Sequence, residues 1–506
     1  VTYEEFKFFG TPFPWQEHEC PFSSVVMSEI PRHRVKPSRT RPWKPDPDFQ
    51  TFFDNEFLKD KDSDKFREEF SWPSKDDVSI LQSLRYHASR REQVRVGLKE
   101  PNARELKRVI GKVEELYGSR KADVEKQLSP ETFFEALRDV DMNSSPGWPW
   151  KKWYKNNREM LFDEEGDLNM ANVYDLYDAV EERLKDLETR PCADDINVFV
   201  KDELHKQSKV ESGAFRLISS VSLTDSMVDR VLFGGFFDNC YTPEGFSTTP
   251  NKAGWTPYLG GYKWLAKKYR KGKTLFADKS SWDWTMMPWV AYMLMTVMVR
   301  VCGDTETRKR QIEHRMMALF GRPNFNVGGW LRFTQTLVGL MKSGCLGTIV
   351  WNGMAQVALH LLAELRRIND FGDVPDTIGD DTLQKAMEDL EDYIRELNAA
   401  GCLARDYHVA ELSTGGLLDF AGHFFNHDYS VPAYTKKHVG CLYESSDFKL
   451  EQLESYLRLY AFDPEMYKRV SAWVNKLGGR VYSREYMIDW YNGDHEETFR
   501  YEDIYG

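Results

Sequence analysis

Paired cysteines are missing: the seven cysteines, at positions 20, 192, 240, 302, 345, 402 and 441, lie dozens of residues apart and form no CxxC pair. An odd, scattered set argues against a disulfide framework or zinc site and for a reduced, cytosolic chain. A membrane-spanning run is missing too. The longest apolar stretch, Trp289 to Val299, ends at Arg300 and falls short of the roughly 20 residues a bilayer requires, so it reads as a buried helix. The opening VTYEEFKFFG has neither the basic nor the apolar part of a signal peptide. A sequence that opens on Val1 rather than Met is expected to start at a processed or chosen boundary. There is no repeat of a fixed period and no low-complexity tract, which excludes solenoids and arrays. Positive charge is also scarce: 68 Lys+Arg against 80 Asp+Glu leave a net charge of −12. As an average, that argues against a phosphate-binding surface.

What is present is enough to build large cores. Across 506 residues, 41% are hydrophobic and 14% aromatic, which excludes disorder and suggests about three subdomains at roughly 100–200 residues each. The charge is unevenly spread. Residues 31–45 carry Arg32, Arg34, Lys36, Arg39, Arg41 and Lys44 with no acid among them and prolines between, an extended basic arm that either neutralises the Asp-rich 46–65 or meets a partner. A second basic cluster, 263–273, precedes the apolar run TLFAD. The local charge along a nucleic-acid channel is therefore expected to be positive despite the acidic average.

Periodicity gives a mixed α and β middle. Leu383, Met387, Leu390, Ile394 and Leu397 fall in steps of four and three, which predicts a helix stopping at Gly401. Further helices are expected over Trp289 to about Val301 and Met354 to about Ile368. Strands are expected at Thr274–Asp278, Thr377–Ile378 and Leu418–Phe425. From about Phe448 onward the pattern is helical.

Three carboxylates end short apolar strands. Asp278 closes TLFAD, and Asp380 with Asp381 follows Ile378-Gly379, where glycine permits a tight turn that projects two acids from a hairpin tip. Such acids suit Mg²⁺, which takes hard oxygen ligands and is commonly shared between carboxylates and phosphates.

In succession, KDELHKQSKVESGAFRLISS (201–220), DKSSWD (278–283), SGCLGTIVWN (343–352) and IGDD (378–381) resemble the RNA-dependent RNA polymerases of positive-strand RNA viruses. The resemblance is to the picornavirus-like group and is nearest to sobemovirus-like polymerases, as RLISSVSLTDSMVDRVLFG (216–234) indicates. It covers residues about 143 to 440. By that resemblance Asp278, Asp380 and Asp381 bind metal, Asp381 as a supporting ligand. Asp283 senses the ribose 2′-hydroxyl, joined in a hydrogen-bond network by Ser343, Thr348 and Asn352 after a flexible loop at Gly344. Ile378 stands where many relatives carry tyrosine. Lys201, Lys206, Lys209 and Arg216 hold the triphosphate, with His205 where arginine is common. The motif SSPGWPW places Ser145, Pro146 and Gly147 on the template strand. His408 is the candidate proton donor to pyrophosphate, because Arg405 hardly deprotonates. In the primer-gripping segment 418–438, Phe424 packs while His423, Lys436 and Lys437 lie near phosphate.

The resemblance implies an α+β right-hand fold: fingers over 1–232 with 321–341 returning to them, palm over 233–320 and 342–440 with an antiparallel sheet backed by helices, and a small helical thumb over 441–506. The implied activity is template-directed RNA synthesis from NTPs with two Mg²⁺ or Mn²⁺, replicating a viral genome. Template RNA, nascent RNA and NTPs are the implied partners, with a protein primer and other viral replication proteins as further ones. The implied location is the host cytoplasm, at membrane-associated replication complexes reached through partners. Two other readings stay open: a reverse transcriptase, which the acid at 283 disfavours, and a non-enzymatic RNA-binding replication protein whose GDD is an ordinary turn.

Overall fold

The computed structural model describes residues 1–9, 22, 40–48 and 66–495. Positions 31–39 of the basic arm and most of the acidic stretch after it lie outside these residues. The main elements of the first half are α1 (Asp77–Gly97), α2 (Ala103–Tyr117), α3 (Met170–Leu187), β1 (Ile196–Val200), β2 (Leu217–Ser220), α4 (Leu223–Tyr241) and β3 (Lys273–Lys279). Then follow α5 (Pro288–Cys302), α6 (Glu306–Phe320), β4 (Asn324–Val327), β5 (Leu331–Thr334), α7 (Thr348–Ile368), β6 (Asp376–Ile378), β7 (Asp381–Lys385) and α8 (Leu390–Gly401). The last part holds β8 (Ala404–Glu411), β9 (Leu418–Phe420), β10 (His423–Phe425), β11 (Ser430–Pro432), α9 (Thr435–Tyr443), α10 (Lys449–Leu459), α11 (Pro464–Lys476) and α12 (Arg484–Asn492). Local chemistry explains several starts. Asp76 caps α1, Asn102 and Glu105 form a reciprocal capping box on α2, and Pro288 opens α5, each meeting amide groups that a helix start leaves unpaired.

The site rests on an antiparallel sheet in the order β8-β3-β7-β6. Side chains alternate along a strand, so each face of β3 serves a different core. Leu275 and Ala277 join the larger cluster, together with α5 and α7. Phe276 joins the second, with Leu383, Phe425, Trp473 and Tyr491. Asp278 shares the face of Phe276, and Lys279 that of Ala277. Nearly every residue of α7 from Val350 to Leu365 is buried, as befits a helix enclosed by other elements. A second sheet has the order β2-β1-β4-β5, with β1 and β4 parallel and separated by more than a hundred residues of chain.

Two expectations are corrected, one of a helix and one of a strand. Leu383 lies on β7, and the helix begins only at Leu390: Leu383 is fully buried in the sheet, and pairing in the sheet overrides the helical spacing. The expected strand 418–425 is two strands, turned at Ala421 (φ 53°) and Gly422 (φ 74°). The helices at 288–302 and 348–368 and the strands at 273–279 and 376–378 match the expected positions. Among the described residues no helix is long and apolar enough to cross a membrane, and the described cysteines are all unpaired.

Buried ion pairs lock the helices around the second sheet. The Arg315 guanidinium on α6 grips Asp229 on α4 through two hydrogen bonds of 2.6 and 3.0 Å, with both side chains at most 1% exposed. Below the central sheet, Asp376 accepts hydrogen bonds from Lys268 Nζ (2.9 Å) and Tyr269 OH (2.6 Å) and pairs with Lys252 at 3.2 Å. Lys268, from the second basic cluster, is thus occupied in the fold. At the far side, residues 40–48 join the C-terminal helices. Trp43 packs edge-on against Phe66, Trp72 and Tyr443, Arg41 lies 4.0 Å above the Trp72 ring, and the Asp46 amide donates to the Tyr443 carbonyl at 2.8 Å. Residues 70–71 pair in turn with 205–206, and Lys436 meets Glu69 at 2.7 Å.

Candidate active site

The sheet floors a cleft of about 1180 Å³. It gathers residues scattered over more than two hundred positions: Asp278, Asp380 and Asp381, Asp283 with Thr348 and Asn352, Ser343, His408, and the basic set Lys201, Lys206, Lys209, Arg216 and Lys437.

The acids arrive by strand and turn chemistry. Ile378 pairs with Asp381, leaving Gly379 and Asp380 as a two-residue turn with Gly379 at φ +58°, a conformation glycine adopts freely. Asp278 ends β3 opposite Asp406. Burial at the cleft floor raises the Asp380 carboxyl above its ordinary value; Lys279 opposes this and Asp278 adds to it. Burial also pushes Asp381 up to about 7, against a hydrogen bond accepted from the Ala421 amide at 2.8 Å. Beneath them the Lys279 ammonium is buried and donates to Thr382 Oγ1 at 2.9 Å. The donor set, three carboxylates gathered on one cleft floor, suits a hard divalent cation. Among the described residues, a tighter triple of acids occurs only on the exposed turn Asp163, Glu165 and Asp167, where Asp163 accepts from the amides of Glu165 and Asp167 and so serves the turn itself.

Asp283 Oδ1 accepts from Asn352 Nδ2 at 3.1 Å, and Asn352 Oδ1 accepts from Trp282 Nε1 at 2.8 Å. Indole only donates, so it fixes the amide orientation and aims the NH₂ at Asp283. Burial, then the charge of Asp380, pushes Asp283 up to about 7. The folded state therefore holds a proton here that the unfolded chain, with an ordinary carboxyl, releases near pH 4. The stability this proton brings is complete at low pH and is lost as pH rises towards and through 7. In metal-free buffer the melting temperature should fall between pH 5 and 8, and Asp283→Asn should flatten that fall; thermal scans across pH measure it.

The other members of the expected network differ. Ser343 Oγ accepts from the Ser219 amide at 3.1 Å and so binds β2, not Asp283. Gly344 is no flexible approach to a template: its amide donates to the Ser219 carbonyl at 3.0 Å, and a Cβ there would lie 2.7 Å from the same oxygen. Thr348 heads α7 and lines the cleft without joining Asp283 in a direct hydrogen bond.

The cations share one organising acid. Glu203 pairs with Arg216 at 2.7 Å and with Lys201 and Lys437 at 3.5 Å each. Burial alone would raise its carboxyl, but Arg216, Lys437 and Lys201 hold it below the ordinary value. Three cations on one anion leave net positive charge. Lys206 has no ion-pair partner among the described residues, and Lys209 sits over the Tyr86 ring. His205 is no weakened phosphate contact. It is buried; its Nε2 accepts from the Arg216 amide at 3.0 Å while Nδ1 faces the Glu203 carbonyl at 2.8 Å, so a neutral ring holds the cation loop in place. Overall the lining carries as many carboxylates as Lys and Arg side chains. The expected positive channel is instead a cleft with its charges segregated.

Of the expected template and primer residues, Lys437 lines it and the others do not. Pro146 and Gly147 are buried, and Gly147, at φ +67°, packs so closely that a Cβ would lie 2.8 Å from Ser222 Cα. The Ser145 hydroxyl accepts from the Gly147 amide. His423 and Phe424 lie on β10 outside the lining, and Lys436 is paired with Glu69. Sequence reasoning missed Lys279, Glu203, Trp282, Asp419 and Tyr434. For Lys279 alone a signal existed, since alternation along β3 places it on the face of Leu275 and Ala277, opposite to that of Asp278.

The sequence pattern described as Viral RNA-dependent RNA polymerase matches residues 85–325. The chain is 26% identical over 410 residues to "Protein P1-P2" of Potato leafroll virus (73% of this chain, 36% of that protein). It is 27% identical over 376 residues to "Replicase polyprotein P2AB" of Cocksfoot mottle virus (69% and 37%), and 26% identical over 304 residues to "Replicase polyprotein P2AB" of Southern bean mosaic virus (57% and 30%). The chain thus spans about a third of the length of the curated relatives it matches. With the segments in their order, the acids on one cleft floor and these relatives in agreement, the chain is similar to the RNA-dependent RNA polymerases of positive-strand RNA viruses, near those of the sobemoviruses.

Proposed function

We propose that this chain copies an RNA template by adding ribonucleotides from NTPs to a 3′-hydroxyl, in the replication of a viral RNA genome. One observation carries the reading: Asp278, Asp380 and Asp381 share a cleft floor beside a cation cluster with net positive charge. On this reading, the β2-β1-β4-β5 sheet belongs to fingers, the β8-β3-β7-β6 sheet to palm and α10–α12 to thumb. Asp278, Asp380 and Asp381 would hold two Mg²⁺ or Mn²⁺. Bound there, such ions activate the attacking hydroxyl and stabilise the departing pyrophosphate. Arg216, Lys201 and Lys437 meet the triphosphate, whose charge is matched by positioned cations rather than by covalent chemistry. The Asp283–Asn352 pair meets the ribose. A site built to bond a hydroxyl leaves its own polar groups unpaired when the hydroxyl is absent, which disfavours a reverse transcriptase.

The test is templated incorporation with divalent cation omitted and restored. Incorporation should appear only with cation, and a ribonucleotide should be preferred over its deoxy analogue by roughly 10²-fold or more, narrowing towards parity in Asp283→Ala. RNA binding without cation-dependent synthesis would instead favour the non-enzymatic reading.

A further inference from the structure

One peptide plane at the cleft is held by two histidines. The unit joining Phe215 to Arg216 is planar, so fixing its carbonyl and its amide fixes the direction in which the Arg216 side chain leaves the backbone. The amide end donates to His205 Nε2 at 3.0 Å. The carbonyl end faces Nε2 of His87, on α1, also at 3.0 Å. A carbonyl only accepts, so His87 carries its proton on Nε2, and in a neutral ring Nδ1 is then an acceptor. Burial, with Lys209 and Arg90 nearby, pushes the His87 ring down to about 4 and so keeps it neutral.

The Ser281 hydroxyl stands 3.0 Å from Nδ1 and donates to it. Ser281 lies at φ 50°, ψ 39°, just ahead of the one-turn helix Trp282–Thr285, a left-handed backbone that residues other than glycine adopt reluctantly. This turn separates Asp278 from Asp283 and carries Trp282, whose indole orients Asn352 towards Asp283. Trp284, from the same turn, stacks on the His87 ring with centroids 5.5 Å apart and planes 14° from parallel. Ser83, four residues earlier on the same face of α1, completes the grip on Phe215. Its hydroxyl accepts from the Phe215 amide at 3.1 Å and donates to the Gly213 carbonyl at 2.7 Å. One helix therefore holds both the segment that carries Arg216 and the turn that carries Asp283, and the two meet at a single imidazole.

We propose that His87 is a positioning residue that sets the triphosphate-gripping Arg216 and the ribose-sensing Asp283 in register, Nε2–H holding the first and Nδ1 the second. This rests on the polymerase reading. Two substitutions separate the arms. The amide nitrogen of Gln reaches about as far as Nε2, so His87→Gln keeps a donor for Phe215 and gives up Ser281. The amide oxygen of Asn stands near the place of Nδ1, so His87→Asn keeps an acceptor for Ser281 and gives up Phe215.

The test times incorporation of a single ribonucleotide or its deoxy analogue by the full chain on a primed RNA template with Mg²⁺. His87→Gln should lower the preference for ribose roughly 3- to 10-fold, the factor for one neutral hydrogen bond, with the NTP KM within about twofold of wild type. His87→Asn should do the reverse, raising KM roughly 3- to 10-fold and keeping the preference within about twofold. Ser281→Ala, which removes one hydroxyl and leaves α1 untouched, should match His87→Gln. The double variant should be no worse than either single one, since both remove the same bond. Histidine variants that both shift KM and preference together, or that shift neither, overturn the proposal. So does a Ser281→Ala protein that keeps the full preference, an arm that needs no histidine variant to fold. If wild type incorporates neither nucleotide with Mg²⁺ or Mn²⁺, the polymerase reading fails and this inference goes with it.

Discussion

Asp380→Ala should lower templated incorporation by at least about a thousandfold while leaving RNA binding and folding intact. A metal clamp supplies several kcal/mol of transition-state stabilisation, and each 1.36 kcal/mol is worth a factor of ten. The expected loss is one of chemistry because of where Asp380 sits. It occupies a two-residue turn whose unusual backbone is carried by Gly379, and its carboxyl repels that of Asp278. Removing it relieves repulsion, so the metal-free melting temperature should hold or rise. Asp381→Ala separates the two effects, since Asp381 also accepts from the Ala421 amide and anchors β9. It should cost stability as well as activity. Incorporation at near wild-type rate in Asp380→Ala would dismiss the assignment of the floor.

Asp229→Ala should be the most damaging single change to folding away from the cleft, at about 3–5 kcal/mol, because it strands a buried guanidinium. Arg315 is 1% exposed and bonds Asp229 through two nitrogens. Replacing both partners by apolar residues, Asp229→Leu with Arg315→Met, should recover most of the loss, since a buried pair is worth little more than well-packed apolar groups of its size. Denaturant midpoints of the single and double variants measure this. A single variant within 1 kcal/mol of wild type would mean that water or a neighbouring group reaches Arg315.

The same pair shows what the sequence disclosed and what it withheld. Asp229 lies in the run 216–234 that carries the resemblance, but nothing local reveals its partner, 86 positions away on another helix. The cleft acids were legible because a strand ending and a glycine turn are events of a few residues. The orienting role of Trp282 was not, since it depends on a contact with Asn352 seventy positions on. His205 looked like a weakened cation, whereas its value is as a neutral ring linking two backbones. The helical spacing from Leu383 was real arithmetic overruled by the sheet. Charge reasoning misled twice, first when the acidic average argued against nucleic acid and then when the local cation clusters pointed to a positive channel. What matters is Glu203 collecting cations on one side while Asp278, Asp380 and Asp381 hold the floor.

The contacts from 205–206 through 66–72 to 436–445 have a topological meaning. Strand pairing at 70–71, the Glu69–Lys436 bridge, the Trp43 cluster and the Lys437–Glu203 pair join the cation side of the cleft to the C-terminal helices. These joints are far apart in sequence and each is small, so the geometry of the cation side is set by the C-terminal helices as much as by the chain around Glu203: a change at Trp43 or Glu69 should be felt at Arg216 and Lys437 without touching either.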